Sequence, residues 1–143
     1  MILIDTNLLL YAVFQQYSQH SRAVSWFNDQ LNSGVRVGLP WQSLLGFARV
    51  ATNPRVLQQP LSTAQAWREV RTWLELSVVF VPEPGTRHLE LLERLLLESQ
   101  ATANLIPDAH LAALAIEHGL VLCSADGDFG RFRGLRWENP LLP

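Results

Sequence analysis

Four aspartates carry the chemistry that can be read from this sequence. Asp5 ends the apolar run Ile2-Leu3-Ile4 and is followed at once by Thr6 and Asn7. A carboxylate in that place costs folding energy unless something compensates its charge. Asp108 follows Pro107 in IPDAHLAALAIEHG, and Asp126 and Asp128 lie in CSADGDF. Taken singly, Asp108 suits a helix N-terminus, where the helix dipole favours an acid, and Asp126-Gly127-Asp128 reads equally as a turn. Asp5 has no such reading, because a strand end followed by Asp-Thr-Asn is not turn chemistry. Carboxylates crowded into one crevice repel one another unless a cation joins them. Oxygen donors without Cys and without an evident His ligand suit Mg²⁺ or Mn²⁺, not Zn²⁺. The chemistry on offer is metal-assisted hydrolysis with water as the nucleophile.

For these acids to act together, the fold must gather them. Short apolar strand candidates lie at Ile2–Ile4, Val35–Leu39, Val78–Val81 and Leu120–Cys123, with a further short one at Arg136–Glu138. Helical spacing links Ala23, Val24, Phe27 and Leu31 within Ser21–Leu31, then Trp67, Val70 and Leu74, then Leu89, Leu92 and Leu96. Ser62 reads as an N-cap and His118-Gly119 as a helix end. Such alternation predicts an α/β fold with a mainly parallel sheet. In such a sheet the strands end on one edge, the following helices start there, and ligands bind there. Asp5 follows the first strand, and Asp126 and Asp128 follow Leu120–Cys123. The helix opened by Asp108 feeds that last strand, so it begins on the edge where the strand ends. Four of the five Asp therefore converge on one edge, whereas most of the eight Glu fall on polar helix faces.

With 143 residues, 48% hydrophobic and 17% charged, residues 1–143 are expected to form a single soluble globular domain. No apolar stretch approaches the ~20 residues of a membrane span, and no basic region precedes a cleavable apolar segment. One cysteine, Cys123, makes no internal disulfide, which fits a reducing cytoplasm. The net charge of −2 hides an asymmetry: residues 1–71 balance at +3 and residues 72–143 at −5. All eleven basic residues are Arg, whose forked donors suit phosphate, although a codon bias would leave the same trace. The absence of Lys excludes a P-loop. It also removes receiver domains and dehalogenase-type phosphatases, which need a Lys beside their Asp cluster. The histidines read as structural: His110 lies two positions after Asp108 and faces elsewhere, His118 sits at a helix end, and His20 and His88 stand alone. Trp41 and Trp137 fall beside loops on the acidic edge.

The set MILIDTN, LPWQSLLGFARVATNPR, IPDAHLAALAIEHG and SADGDFGRFRGLRWENP resembles a PIN domain, and specifically a VapC-type toxin of a bacterial toxin–antitoxin pair, over nearly the whole chain. The resemblance implies a three-layer α/β/α sandwich and a Mg²⁺-dependent endoribonuclease, with Mn²⁺ able to substitute. It also implies a homodimer acting on structured RNA such as transfer or ribosomal RNA, held inactive by a VapB-type antitoxin. By position, Asp5, Asp108 and Asp126 match the metal-binding catalytic acids, and Asp128 matches the second acid of the terminal motif. Thr6, Asn7 and Ser124 match polar residues that orient those acids. Arg49, Arg55, Arg131, Arg133 and Arg136 are candidates to hold the RNA backbone.

One position departs from the pattern. Many PIN domains carry a Glu three residues before an Arg in the helix after the second strand; here the Arg is Arg49 and the position holds Gly46. Gln42, one turn earlier on the same face, is expected to supply a neutral oxygen or hold a water. A less negative site should bind metal more weakly, which leaves open a domain that binds RNA or antitoxin without cutting. Since glycine within a helix costs roughly 1 kcal/mol relative to Ala, Gly46→Glu is expected to leave the helix intact and tighten metal binding.

Overall fold

The chain, described over residues 1–143 by a computed structural model, forms five strands and six α-helices. Strands β1 (Ile2–Ile4), β2 (Val37–Gly38), β3 (Val79–Phe80), β4 (Val121–Cys123) and β5 (Trp137–Glu138) lie in the order β3-β2-β1-β4-β5. Every neighbouring pair is parallel, so each connection must cross back over a sheet face, and the helices make those crossings. Central β1 pairs Ile2, Leu3 and Ile4 with Val121, Leu122 and Cys123, and pairs Ile2 and Leu3 with Val37 and Gly38 on its other side.

Alternation along the strands feeds two cores. Ile4, Val37 and Cys123 join one, which receives Leu8 and Leu9 of α1 (Thr6–Val13), Phe27 of α2 (His20–Asn32), Phe47 of α3 (Trp41–Ala51) and Trp73 of α4 (Thr63–Leu74). Leu3 and Leu122 join the other, with Leu91 and Leu95 of α5 (His88–Ser99) and Leu111 and Leu114 of α6 (Leu105–His118). Helices therefore cover both faces of the sheet, and the expected three-layer α/β/α arrangement is what the chain adopts. No helix is long and apolar enough to cross a membrane.

The predicted elements recur with instructive differences. Leu39 N still donates to Phe80 O at 2.9 Å, but Pro40 has no N–H to extend the ladder, so β2 stops. Pro82 limits β3 in the same way. Ser62 caps α4 with a reciprocal pair, its Oγ accepting from Gln65 N and Gln65 Oε1 accepting from Ser62 N. Gly119, at φ 67°, terminates α6 in the left-handed conformation that glycine tolerates. Helix α6 begins at Leu105, earlier than the Asp108 start read from the sequence; Pro107 fits its first turn, where N–H groups have no partner inside the helix. Helix α1 was not predicted at all. Its buried run Leu8-Leu9-Leu10 has no helical period, because the helix is enclosed between the sheet, α2 and α3.

Candidate functional site

Asp5 stands at the joint between β1 and α1. Its N–H donates to Cys123 O at 3.0 Å, which ties the joint to the end of β4. Oδ1 accepts from Thr6 N at 2.8 Å, making Asp5 the N-cap of α1. Oδ2 accepts from Ser124 Oγ at 2.7 Å and, more weakly, from Asn7 Nδ2 at 3.4 Å. The buried Ser124 hydroxyl also accepts from Asn7 Nδ2 at 3.1 Å and from Asp126 N at 3.0 Å. Asn7 Oδ1 in turn accepts from Ala125 N at 3.2 Å. Asp126 Oδ1 accepts from Asp128 N at 2.9 Å and so caps the 3-10 helix Gly127–Arg131. Trp137 Nε1 donates to Ser124 O at 3.0 Å from the neighbouring strand. One network thus fixes Asp5 and Asp126 on one sheet edge, although 121 positions separate them in the chain.

Asp108 reaches the same edge in the first turn of α6. Gln42 Nε2 donates to Pro107 O at 3.0 Å, and Thr6 Oγ1 donates to Ser43 O at 3.0 Å. The first turn of α3 is therefore bonded both to α1 and to α6. Gln42 was expected to supply a neutral oxygen or hold a water; its amide nitrogen fastens the turn that carries Asp108 by donating to the Pro107 carbonyl, which can only accept.

The acids sense one another. Burial pushes the Asp108 carboxyl up from 3.8 to about 6, and the charges of Asp5, Asp126 and Asp128 add to the rise. Burial also raises Asp5, against the lowering effect of the Ser124 and Thr6 hydrogen bonds, with the Asp126 charge adding to the rise. Burial raises Tyr11 as well, helped by Tyr17, Asp126 and Asp5. The only ion pair in this segment joins Arg131 Nε to Asp128 Oδ1 at 3.4 Å, at the exposed rim.

A pH dependence follows. Asp108 binds its proton in the folded chain at a pH where the unfolded chain has already lost it. Folding of the metal-free protein is therefore favoured as pH falls through about 6 towards 3.8, and that contribution is lost above about 6. Relative to Asp108→Asn, the metal-free wild type should gain thermal stability between about pH 7.5 and about pH 5, while cation affinity falls as the proton competes. Parallel stability profiles for the two proteins would contradict the shared charge.

The donor set fits a hard cation. All its charged donors are carboxylate oxygens, they repel, and no buried Arg neutralises them. No three His, Cys, Asp or Glu side chains are gathered closely enough to hold an ion unaided. A cation here would be held by a subset of the acids with water completing its shell, which is how Mg²⁺ is commonly bound.

Several sequence expectations change. Of the arginines, only Arg131 and Arg133 follow directly from the acidic segment, and Arg133 O accepts from Arg94. Arg136 Nη2 donates to Gly119 O at 2.7 Å, at the strands' opposite edge, so it is a structural link. Arg49, in the last turn of α3, lies about 10 Å along the helix from Gln42, and Arg55 lies exposed in the loop beyond. His88 does not stand alone: its Nε2 is 2.9 Å from His110 Nδ1. Its Nδ1 lies 3.9 Å from Glu117 Oε1, while the Glu117 carboxylate accepts from Gly85 N and Arg87 N at 2.8 and 3.0 Å. This chain fastens α5 to α6. The spacing of His110 and Glu117, two turns apart on one helix face, was its only signal in the sequence. Of the two tryptophans read beside the acidic edge, Trp137 donates to Ser124 O, whereas Trp41 stacks in parallel on Trp67 with centroids 6.4 Å apart.

A parallel five-stranded sheet in this order, with one acid ending β1, one opening the helix before β4 and one following β4, defines a class of protein. The PIN domain family model matches residues 2–135, and the chain belongs to that family. Within it, the chain is similar to Ribonuclease VapC33 of Mycobacterium tuberculosis, with 44% identity over 141 residues covering 99% of each chain. Among solved structures, FitAB bound to an IR36 DNA fragment aligns with a TM-score of 0.71 and 19% identity, over 100% of this chain and 97% of that one. VapBC-1 from nontypeable Haemophilus influenzae aligns at 0.68 and 19% identity over 98% of each. These two share the fold.

Proposed function

We propose that this protein is a Mg²⁺-dependent endoribonuclease, the toxin of a toxin–antitoxin pair, which hydrolyses a structured RNA such as transfer or ribosomal RNA in the cytoplasm. The observation that carries the reading is the gathering of Asp5, Asp108 and Asp126 on one edge, with charge that no protein cation offsets. A subset of these three would hold Mg²⁺, or Mn²⁺ in its place, with water completing the shell. When bound, the ion supplies activation of water and neutralisation of phosphate charge. The chain's own work is positional: Thr6 N and Ser124 Oγ fix the two Asp5 oxygens, and Asp128 N fixes one of Asp126. Arg131 and Arg133 are the arginines best placed to meet the RNA backbone. The relative's name, a ribonuclease, supports the activity, and the two-part names FitAB and VapBC-1 support a VapB-type partner. A basic side chain on the antitoxin would enter the acid cluster.

Gly46 in place of an acid favours a second reading, a module that binds RNA or antitoxin without cutting. A panel of structured RNAs, incubated with the wild type in Mg²⁺ and in excess chelator, separates the two. Cleavage only with Mg²⁺ supports the nuclease; binding without cleavage under both conditions supports the module.

The protein is further proposed to work as a homodimer. Leu45 is 54% exposed and lies one turn from exposed Trp41 on α3, with Trp67 stacked beside Trp41. An apolar surface of this kind is costly to leave in water. Light scattering at micromolar concentration should give a dimer for wild type and a monomer for Leu45→Glu, with little change in thermal unfolding of the subunit. A monomeric wild type would refute the dimer.

A further inference from the structure

Gly46 lies where α3 passes the start of α1, and there is no room for a side chain on it. A Cβ added there would overlap the Thr6 hydroxyl oxygen and stand 3.3 Å from both Thr6 Cβ and Thr6 Cγ2. Thr6 cannot easily turn aside: it is β-branched and stiff at χ1, and its hydroxyl is committed to Ser43 O at 3.0 Å. Helix propensity favours Ala over Gly at such a position, so what glycine supplies here is close approach. The contact has consequences at both ends. Thr6 follows Asp5 and its N–H is held by Asp5 Oδ1. Ser43 follows Gln42, whose amide holds the carbonyl beside Asp108. An unbroken path thus runs from Asp5 through Thr6, Ser43 and Gln42 to the turn of Asp108.

We infer that Gly46 and Thr6 form a steric pair that sets the spacing of Asp5 and Asp108, and through it the fit of the cation site. This rests on the cation reading given above. Thr6 and Gly46 are positioning residues, since they act through Asp5 and through the first turn of α3. The pair also corrects the expectation for Gly46→Glu. A carboxylate at position 46 would displace Thr6 before it added a ligand, so that variant should weaken the site instead of restoring it.

The test is calorimetric Mn²⁺ titration of the full chain together with thermal unfolding without metal. Gly46→Ala should weaken Mn²⁺ binding by about tenfold or more, the scale of losing a contact that supports a ligand. Thr6→Val, which keeps the shape and loses the hydroxyl, should weaken it too, whereas Thr6→Ser should bind within about twofold of wild type. Gly46→Ala should lower the unfolding midpoint in the wild-type background and cost little in Thr6→Ala, where only the 3.3 Å Cβ approach remains. Wild-type Mn²⁺ affinity in Gly46→Ala, or an equal loss of stability in both backgrounds, overturns the steric pair alone. Should Gly46→Ala fail to fold, Thr6→Val and Thr6→Ser decide, and equal affinities in these two overturn it. A wild type that takes no Mn²⁺ overturns the cation reading and this inference with it.

Discussion

Asp5→Asn is expected to lower RNA cleavage by on the order of 10³-fold or more, and to do so in a protein that folds at least as well as wild type without metal. The two halves of this result have separate causes. Asn keeps one oxygen to accept from Thr6 N, so the cap on α1 survives. It replaces the other acceptor with an NH₂ group facing Ser124 and Asn7, which forfeits part of the network. Against that loss stands the removal of a charge that burial and Asp126 already disfavour, and relief for Asp108, whose carboxyl is raised partly by Asp5. At neutral pH an acid with a raised value destabilises the folded chain, so its neutral replacement returns stability. Mn²⁺ affinity should collapse in the same variant, and an antitoxin that inserts a cation should bind it more weakly. Wild-type cleavage and Mn²⁺ affinity in Asp5→Asn would remove Asp5 from the site.

How much of this was legible beforehand differs residue by residue. Asp5 stood out because a charged residue ended a buried strand, and the α/β edge rule then placed Asp108 and Asp126 beside it without any contact being known. Four of the five strands were located because Val, Ile and Leu runs alternate with helical spacing. The predicted spans started one or two residues early at β2, β3, β4 and β5, and ran past the ends of β2 and β3, where Pro40 and Pro82 stop the ladder. Helix α1 stayed hidden because burial on all sides removes the periodicity that marks a helix. Gly46 was read for the acid it lacks; the Thr6 hydroxyl that lies against it, a contact across 40 residues, is encoded by no local pattern. The His88–His110 bond escaped for the same reason, since α5 and α6 each carry one half of it. The arginines were grouped by sequence proximity, and the fold sends Arg136 to the opposite edge.

That hidden histidine pair bears on the ends the enzyme leaves. Ribonucleases that use two histidines make the RNA's own 2′-hydroxyl attack, give cyclic phosphates and need no metal. A pair 2.9 Å apart exists here, but its members bond each other, His88 is buried, and its far nitrogen faces Glu117. No phosphate fits between them. Burial and His88 also hold His110 below its usual range, which favours a neutral ring within the α5–α6 contact. The attacking group should therefore be water at the acid cluster, in line with a leaving 3′-oxygen, giving a 5′-phosphate and a free 3′-hydroxyl. Because the 2′-hydroxyl then has no chemical part, a substrate with a single 2′-deoxy substitution at the cleaved position should still be cut. Its rate should fall by about fivefold at most if one hydrogen bond worth ~1 kcal/mol is lost on binding. His88→Ala should loosen α5 from α6 and lower stability without changing the product ends. Products ending in a 2′,3′-cyclic phosphate, or cleavage that persists in excess chelator, would transfer the chemistry away from Asp5, Asp108 and Asp126.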